Sequence, residues 1–445
     1  MLKKAQFLIA APASNSGKTT LTLGLLKALS NRGYRVQPYK CGPDYIDPIL
    51  HEKACGLPSI NLDSIMASTA HVQELYSKHL DGSDIGIVEG VMGLFDGADK
   101  MKGSSAEIAL LLDLPVILVI NAKAMAYSAA ALIYGFKHFR PDLKLAGVIF
   151  NNVNTPSHYC FLQDACLDTG VEALGYLPTQ PDAHIPSRHL GLSIDPAIDF
   201  GGVCDLIASS LEQTVSIDRL LELTGSVVPV VRPVLVGVPV APVRKIAIAR
   251  DEAFRFIYAE NVEILKSFGE VSYFSPLTDS ILPICDLLYL PGGYPELFLS
   301  ELSENTAMLE SVRNYCLGGG KAYAECGGMM YLGQSIADIE GIEYRMAGFI
   351  PIKTSMQHPK LHLGYRTIYL GNLTIRGHEF HYSTCEELEG VSTLDARIEN
   401  ARGLALPAAI YRREQTIASY NHLYWGDHPS FIELLLNGGF NTPNL

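Results

Sequence analysis

The first stretch of this chain that could do chemistry is Ala11-Pro12-Ala13-Ser14-Asn15-Ser16-Gly17-Lys18-Thr19-Thr20, between the apolar run Gln6–Ala10 and the helical pattern Thr19–Arg32. A strand–loop–helix of this kind aims successive amides, here those of Ser14 to Thr20, and a helix N-terminus at phosphate oxygens. Lys18 would neutralise the β/γ charge, and Thr19 would offer its hydroxyl to Mg²⁺. Pro12 replaces the opening glycine of the G-x-x-x-x-G-K-[ST] pattern, so the generic motif is half met. Carboxylates follow. Asp44 and Asp47 lie in Lys40-Cys41-Gly42-Pro43-Asp44-Tyr45-Ile46-Asp47-Pro48, and Glu89 opens Glu89-Gly90-Val91-Met92-Gly93-Leu94-Phe95-Asp96-Gly97. A carboxylate just past a parallel strand sits at the sheet's carboxyl edge, where Glu89 can hold Mg²⁺ between ATP phosphates and protein. Turn chemistry beside Gly and Pro is the plainer reading of Asp44, Asp47 and Asp96, and Lys40 reads equally as a solvated lysine.

A second constellation lies in the C-terminal half. Tyr323-Ala324-Glu325-Cys326-Gly327-Gly328 sets a cysteine between an apolar strand and a glycine-rich helix start. A thiol at such an elbow is expected to stay exposed, with its pKa lowered by the helix N-terminus, as a nucleophile requires. Leu290-Pro291-Gly292-Gly293 follows another strand, and its glycines can turn amides toward a developing oxyanion. The base is expected at a late strand end, and Thr416-Ile417-Ala418-Ser419-Tyr420-Asn421-His422 supplies His422 in preference to His428. Tyr424 and Ser430 stand where a carboxylate two residues past either histidine would orient it. That leaves a Cys/His pair with its third member unidentified. Arg376-Gly377-His378-Glu379-Phe380-His381-Tyr382-Ser383 is dense in polar groups without declaring a role, and a solvated strand edge is its plain reading.

The elements that must position these groups show in the periodicity. Apolar runs at Gln6–Ala10, Ile85–Val88, Val116–Ile120 and Gly147–Phe150, then at Lys245–Ala249, Leu287–Leu290, Ala322–Ala324 and Thr416–Tyr420, read as strands. Helical patterns such as Thr19–Arg32 and Ala106–Leu112 lie between them. Continuous apolar strands with helical crossovers predict parallel sheets covered on both faces. Pro229, Pro233, Pro239 and Pro242 bar helix and central strand from 225–244. An extended linker is expected there, between a P-loop domain at 1–224 and a second domain at 245–445. The predicted class is α/β, with two doubly wound domains.

Composition narrows the partners. With 34 Lys and Arg against 47 Asp and Glu, the net charge of −13 speaks against nucleic acid or an anionic membrane surface. Nine cysteines without C-x-x-C pairs suit a reducing cytosol and give no zinc signature. No window holds the ~18 uninterrupted apolar residues of a membrane span. The basic, apolar start runs into Gly17-Lys18-Thr19-Thr20 and reads as a first strand rather than a signal peptide. A cytoplasmic protein is expected; a homodimer is compatible with the sequence and not required by it.

Ser16-Gly17-Lys18-Thr19-Thr20, Gly42–Pro48, Asn61-Leu62-Asp63 and Glu89–Gly97 together resemble the cobyrinic acid a,c-diamide synthase family. The order of cysteine, glycine loop and histidine resembles class I glutamine amidotransferases, which have a flavodoxin-like domain. The resemblance implies that ATP activates a carboxylate as an acyl phosphate, with Lys18 and Thr19 at phosphate and metal. Asp44 and Glu89 would then serve Mg²⁺, Lys40, Asp47 and Asp96 the substrate carboxylate, and Asn151 the adenine. It implies that Cys326, His422 and the Gly292–Gly293 amides release ammonia from L-glutamine, which would travel between domains to the acyl phosphate. The implied acceptor is cobyrinate, amidated at its a and c acetates; hydrogenobyrinate and a nickel sirohydrochlorin are the alternatives. Asn15 and Asn121 depart from the residues common in the family, Gly and Asp. Arg188-His189-Leu190-Gly191 matches it without a derivable role. A reading of a different class is a P-loop partition-type ATPase switch, which needs neither Cys326 nor His422.

Overall fold

The computed structural model describes residues 3–180, 199–227 and 243–438. Arg188–Gly191 and most of the expected linker, 228–242, lie outside the described residues. The chain divides into two units, 1–234 and 235–445.

The strands of the first unit are β1 (Lys3–Ala10), β2 (Val36–Cys41), β3 (Ile60–Leu62), β4 (Ile85–Glu89), β5 (Val116–Asn121), β6 (Leu145–Asn151), β7 (Glu172–Leu177) and β8 (Gly225–Val227). Seven are parallel in the order β3-β2-β4-β1-β5-β6-β7, while β8 runs antiparallel along the start of β1. The first three residues of the expected linker therefore belong to this sheet. Strands such as Phe7–Ala10 and Val116–Ile120 are buried throughout, as strands with both faces covered must be. Helix α1 (Lys18–Asn31) buries Leu21, Leu25, Leu26 and Leu29 in the core with Ile207 and Leu211 from the helix Phe200–Thr214. Helix α2 (Ile46–Cys55) follows β2.

The second unit is built on β9 (Arg244–Ala249), β10 (Gly269–Phe274), β11 (Leu287–Leu290), β12 (Lys321–Glu325), β13 (Ser335–Ala337), β14 (Glu343–Arg345), β15 (Ile352–Ser355), β16 (His362–Leu370), β17 (Leu373–His381), β18 (Thr384–Glu387), β19 (Arg397–Asn400), β20 (Ile410–Arg413), β21 (Thr416–Ser419) and β22 (Asn421–Tyr424). One sheet has the order β10-β9-β11-β12-β21-β20 and is parallel except for β20. Two four-stranded sheets, β14-β13-β15-β18 and β19-β16-β17-β22, accompany it. The sequence reading had no counterpart for these two sheets. Segment Arg376–His381 is consequently not a solvated edge: β17 runs between β16 and β22, and His378, Glu379 and His381 are buried. The expected strand Thr416–Tyr420 ends at Ser419, and the chain then crosses to the antiparallel sheet as β22. Among the described residues, no helix is long and apolar enough to cross a membrane.

Candidate functional site

In the first unit, parallel register brings the polar ends of the strands to one edge. Lys40 pairs with Glu89 across β2 and β4, Ile9 with Glu89 across β1 and β4, and Asn121 with Asn151 across β5 and β6. The loop after β1 turns into α1 at Gly17, whose φ is 98°. A Cβ there would lie 2.0 Å from Asn151 Nδ2, so conformation and space both require glycine. Asn15 is also left-handed, at φ 61°. Asparagine enters that region more readily than most residues, which accounts for its standing where the family has Gly. No side chain caps α1, which leaves the anion-favouring end of the helix dipole on the loop.

The remaining residues of the loop brace it. Asn151, which the resemblance puts at the adenine, donates to Ser16 O at 3.1 Å. Ser16 Oγ donates to Ala13 O at 2.9 Å, while Ser14 is exposed and Thr20 half-buried. Lys18 Nζ donates to Met92 O at 2.6 Å and Ala13 O at 3.3 Å, tying the loop to the turn after β4. Asp96 closes that turn by accepting from Gly93 N at 3.0 Å. Asp44 Oδ1 accepts from the amides of Ile46 and Asp47, at 2.9 and 3.0 Å, and opens α2. These are the turn roles that were the plainer reading of both residues.

A buried charge cluster centres on Glu89. Thr19 Oγ1 donates to Glu89 Oε1 at 2.7 Å, and Lys40 Nζ lies 3.0 Å from the same oxygen while also pairing with Asp47. His51 Nε2 is 2.7 Å from Glu89 Oε2, and its Nδ1 is 3.0 Å from Ser59 Oγ. Burial opposes ionisation of Glu89, but the Lys40 charge and the hydrogen bonds from His51 and Thr19 outweigh it and hold the carboxyl well below its usual range. Lys40 is 2% exposed; the solvated-lysine reading is corrected to a counter-ion shared by two buried carboxylates. The hydroxyl–carboxylate contact of Thr19 with Glu89 is an oxygen donor set of the kind Mg²⁺ accepts.

In the second unit the parallel strands β11 and β12 end at the two motifs. Cys326 N donates to Ser419 O at 2.8 Å, fixing the elbow against β21. The elbow is strained, with Cys326 at φ 46° and ψ −105°. Gly292 lies flat against the histidine: a Cβ on it would be 2.2 Å from His422 Cε1. A Cβ on Gly327 would be 3.1 Å from Gly293 N, so the glycine loop also borders the cysteine turn. Cys326, Gly292, Gly293 and His422 are thus brought together, whereas His428 begins the helix Pro429–Asn437. His422 does not end a strand; it is the second residue of β22, paired with His378 of β17. Their rings stack with centroids 5.0 Å apart, and His378 Nδ1 meets Tyr258 Oη at 2.9 Å.

Two expectations about Cys326 are overturned. It is 4% exposed rather than open to solvent. Burial pushes its thiol pKa up, aided by the charge of Glu296 and opposed by the Gly327 amide, so the short helix Gly327–Leu332 does not lower it. Burial likewise drives His422 well below the ordinary imidazole value. Burial thus disfavours the charged form of both residues.

Arg366 Nε lies 2.7 Å from Glu379 Oε2, and His381 Nε2 lies 2.8 Å from Glu379 Oε1. Tyr420 stacks on His381 at 3.6 Å. His362 completes a trio with Glu379 and His381 whose ligating atoms lie within 4.8 Å of one another, but Arg366 already neutralises the carboxylate.

The comparisons with known proteins agree with both halves. Residues 7–192 match the CobQ/CobB/MinD/ParA nucleotide binding domain, and residues 245–430 the CobB/CobQ-like glutamine amidotransferase domain. Over 432 residues the chain is 40% identical to a hydrogenobyrinate a,c-diamide synthase of Brucella ovis, spanning 94% of this chain and 98% of that protein. This chain belongs to the a,c-diamide synthase family. Cobyrinate a,c-diamide synthases of Picrophilus torridus (39% identical, 99% of this chain and 100% of that one) and Salmonella typhimurium (38% identical, 96% of each) are further relatives. A solved glutamine amidotransferase overlaps 43% of this chain and 97% of its own, at 17% identity and a TM-score of 0.31. A nucleotide-binding half beside an amidotransferase half fits ATP-dependent amidation with glutamine as nitrogen donor, and the chain is an enzyme of that ligase type.

Sequence reasoning passed over His51, Glu325 and Arg366, and marked Glu379 and His381 only as part of the polar segment Arg376–Ser383. His51 stands four residues after Asp47, one helical turn along α2. Glu325 ends an apolar strand, which is the signal that had singled out Glu89.

Proposed function

We propose that this a,c-diamide synthase amidates the a and c acetate side chains of cobyrinate, spending one ATP and one glutamine on each. A carboxylate is a poor acyl donor because oxide would have to leave; transfer of the γ-phosphoryl group makes an acyl phosphate, from which inorganic phosphate leaves. Lys18 and the loop amides bind the phosphates, and Thr19 and Glu89 would hold Mg²⁺, which when bound supplies charge neutralisation there. For Glu89 to reach an ion, Lys40 and His51 must release part of their hold on it.

In the second unit Cys326 Sγ attacks the glutamine side-chain carbonyl while His422 takes the thiol proton. Amides at Gly292–Gly293 receive the tetrahedral oxyanion. His422 returns the proton to the departing nitrogen, which leaves as ammonia, and water clears the γ-glutamyl thioester to glutamate. Ammonia then displaces phosphate from the acyl phosphate. What supports this reading is the packing of Gly292 on His422 and of Gly293 on the Cys326 turn. Hydrogenobyrinate is the second acceptor to weigh, because the Brucella relative named for it is as similar as those named for cobyrinate.

The test is incubation with either macrocycle, ATP, Mg²⁺ and glutamine, with product mass read for two amide additions. Cys326→Ser should lose glutamine-driven product and keep ammonia-driven product. Glutamine-driven product from Cys326→Ser, or no mass gain with any acceptor, would overturn the reading; ATP turnover without glutaminase would favour the switch-type ATPase.

A further inference from the structure

Resting on the glutaminase reading above, we propose that Glu325 is the positioning residue of that site, holding His422 in the tautomer that accepts the Cys326 proton and balancing the imidazolium that forms.

The geometry points there from three directions. Glu325 Oε2 lies 3.8 Å from His422 Nδ1. Its other oxygen accepts the amide of Leu423, the residue after His422, at 2.9 Å. One carboxylate thus fixes the backbone of β22 and faces the ring that β22 carries. The residue after Glu325 is the nucleophile, and its left-handed elbow turns the chain between them. Acid and nucleophile therefore stand at adjacent positions of one strand end, the acid 3.8 Å from the His422 ring, with Ser419 O tying that end to β21.

The chemistry needs such a group. For Nε2 to take the thiol proton, Nδ1 must carry the hydrogen, and a buried Nδ1–H needs an acceptor. Burial disfavours both thiolate and imidazolium, so proton transfer between them is uphill unless a third group offsets the new charge. The other titratable groups acting on His422 do not supply one. His378, stacked on it, is held near a pKa of about 3 by burial and the Arg366 charge, and stays neutral. His381 and Glu379 act on His422 with opposite signs, and Glu379 is already committed to Arg366 and His381. Glu325 is 1% exposed. Burial raises its pKa to about 8, against the Leu423 amide and the phenols of Tyr289 and Tyr323; Tyr289 Oη donates to Oε2 at 2.8 Å. The carboxylate form, which a neighbouring cation favours, is the one that accepts Nδ1–H and balances the imidazolium, and Glu325 gives up no proton in the transfer itself. The 3.8 Å separation is that of the resting pair; catalytic contacts commonly tighten once substrate is bound.

Glu325→Gln keeps the shape and can still accept the Leu423 amide, but it presents an NH₂ group to Nδ1 and so favours the wrong tautomer. The expected result in the full-length enzyme is a fall on the order of 10⁴-fold in glutaminase kcat, the loss seen when a triad carboxylate is neutralised. KM for glutamine should change little and ammonia-driven amidation not at all. Glu325→Asp should recover part of the loss, and the bell-shaped pH dependence of kcat should move in Glu325→Gln. Wild-type glutaminase kcat in Glu325→Gln, or a loss confined to KM, would overturn the proposal while leaving the Cys326 reading intact; loss of that reading shows instead as glutaminase surviving Cys326→Ser. Should Glu325→Gln fail to fold, ¹⁵N-histidine NMR of the wild-type enzyme decides: Nδ1–H on His422 supports the proposal, and Nε2–H refutes it.

Discussion

Gly292→Ala is a nearly pure steric perturbation. The backbone at 292 is not left-handed, so alanine carries no conformational penalty there, and the new methyl acts only through what it meets. It would sit 2.2 Å from His422 Cε1, 3.0 Å from Nδ1 and 3.3 Å from Nε2. Restoring the 3.4 Å of ordinary contact at Cε1 requires ring or loop to yield by about 1.2 Å. The ring has little room to do so, because His378 stacks on it and β17 pairs with its backbone. Overpacking of this size costs about 1–3 kcal/mol of stability, and a displacement of about 1 Å at a catalytic group costs about 10²-fold in rate, or about 2.7 kcal/mol of barrier. The assay is glutamate release from glutamine, run beside ammonia-driven amidation. The chain has a single tryptophan, Trp425, buried in the second unit, so its fluorescence in a urea titration reports whether that unit is folded. Glutaminase down about 10²-fold, with ammonia-driven amidation retained, is the expected outcome. Activity within about threefold of wild type in a folded variant would mean that the glycine loop does not determine the placement of His422. Gly135→Ala is the control: nothing lies within 4 Å of its Cβ position, and in a helix the change should stabilise by about 0.5–1 kcal/mol.

Other outcomes follow from the same contacts. Lys18→Ala should abolish amide synthesis with either nitrogen source while sparing glutaminase, read as product mass and glutamate release. Lys40→Met removes the cation between Asp47 and Glu89 and should destabilise the first unit by about 3–5 kcal/mol, as breaking a buried pair does; calorimetry of the full chain would show its transition fall. Burial pushes the Glu379 carboxyl up, but the His381 hydrogen bond and the Arg366 charge bring it down from 4.5 to about 2. Because the folded value is the lower one, this stabilisation is complete above about pH 4.5 and is lost as pH falls toward 2; the difference corresponds to about 3 kcal/mol. Urea midpoints followed at Trp425 should show a shallower acid limb in Glu379→Gln than in wild type. Parallel curves would contradict the assignment.

Parallel strands with both faces buried announce themselves as continuous apolar runs, which is why Val116–Ile120 and Leu287–Leu290 were legible and why the motifs at their ends could be placed at a sheet edge. The antiparallel sheets were harder to see. In β17, Leu373–His381, the buried positions include His378, Glu379 and His381, so burial there follows charge pairing and ring stacking rather than apolarity. A reading that equates polar with solvated inverts such a strand. The motif around Cys326 correctly marked an elbow, but whether the elbow is open or sealed depends on residues from distant parts of the chain, such as Phe380, whose carbonyl lies 3.7 Å from the thiol sulfur. The sign of the pKa shift went wrong for that reason. Glu325 was missed because carboxylate orienters were sought only downstream of the histidine.

The enclosure of Cys326 also bears on chemical damage. Peroxide and alkylating agents attack the thiolate, and a sealed thiol that keeps its proton offers them very little of it. Cys160, exposed on the helix Pro156–Thr169, is the cysteine that meets such reagents first. A stressed cell would mark this enzyme on its outer surface long before silencing it, and its most reactive position on glutamine would be among its least reactive toward everything else.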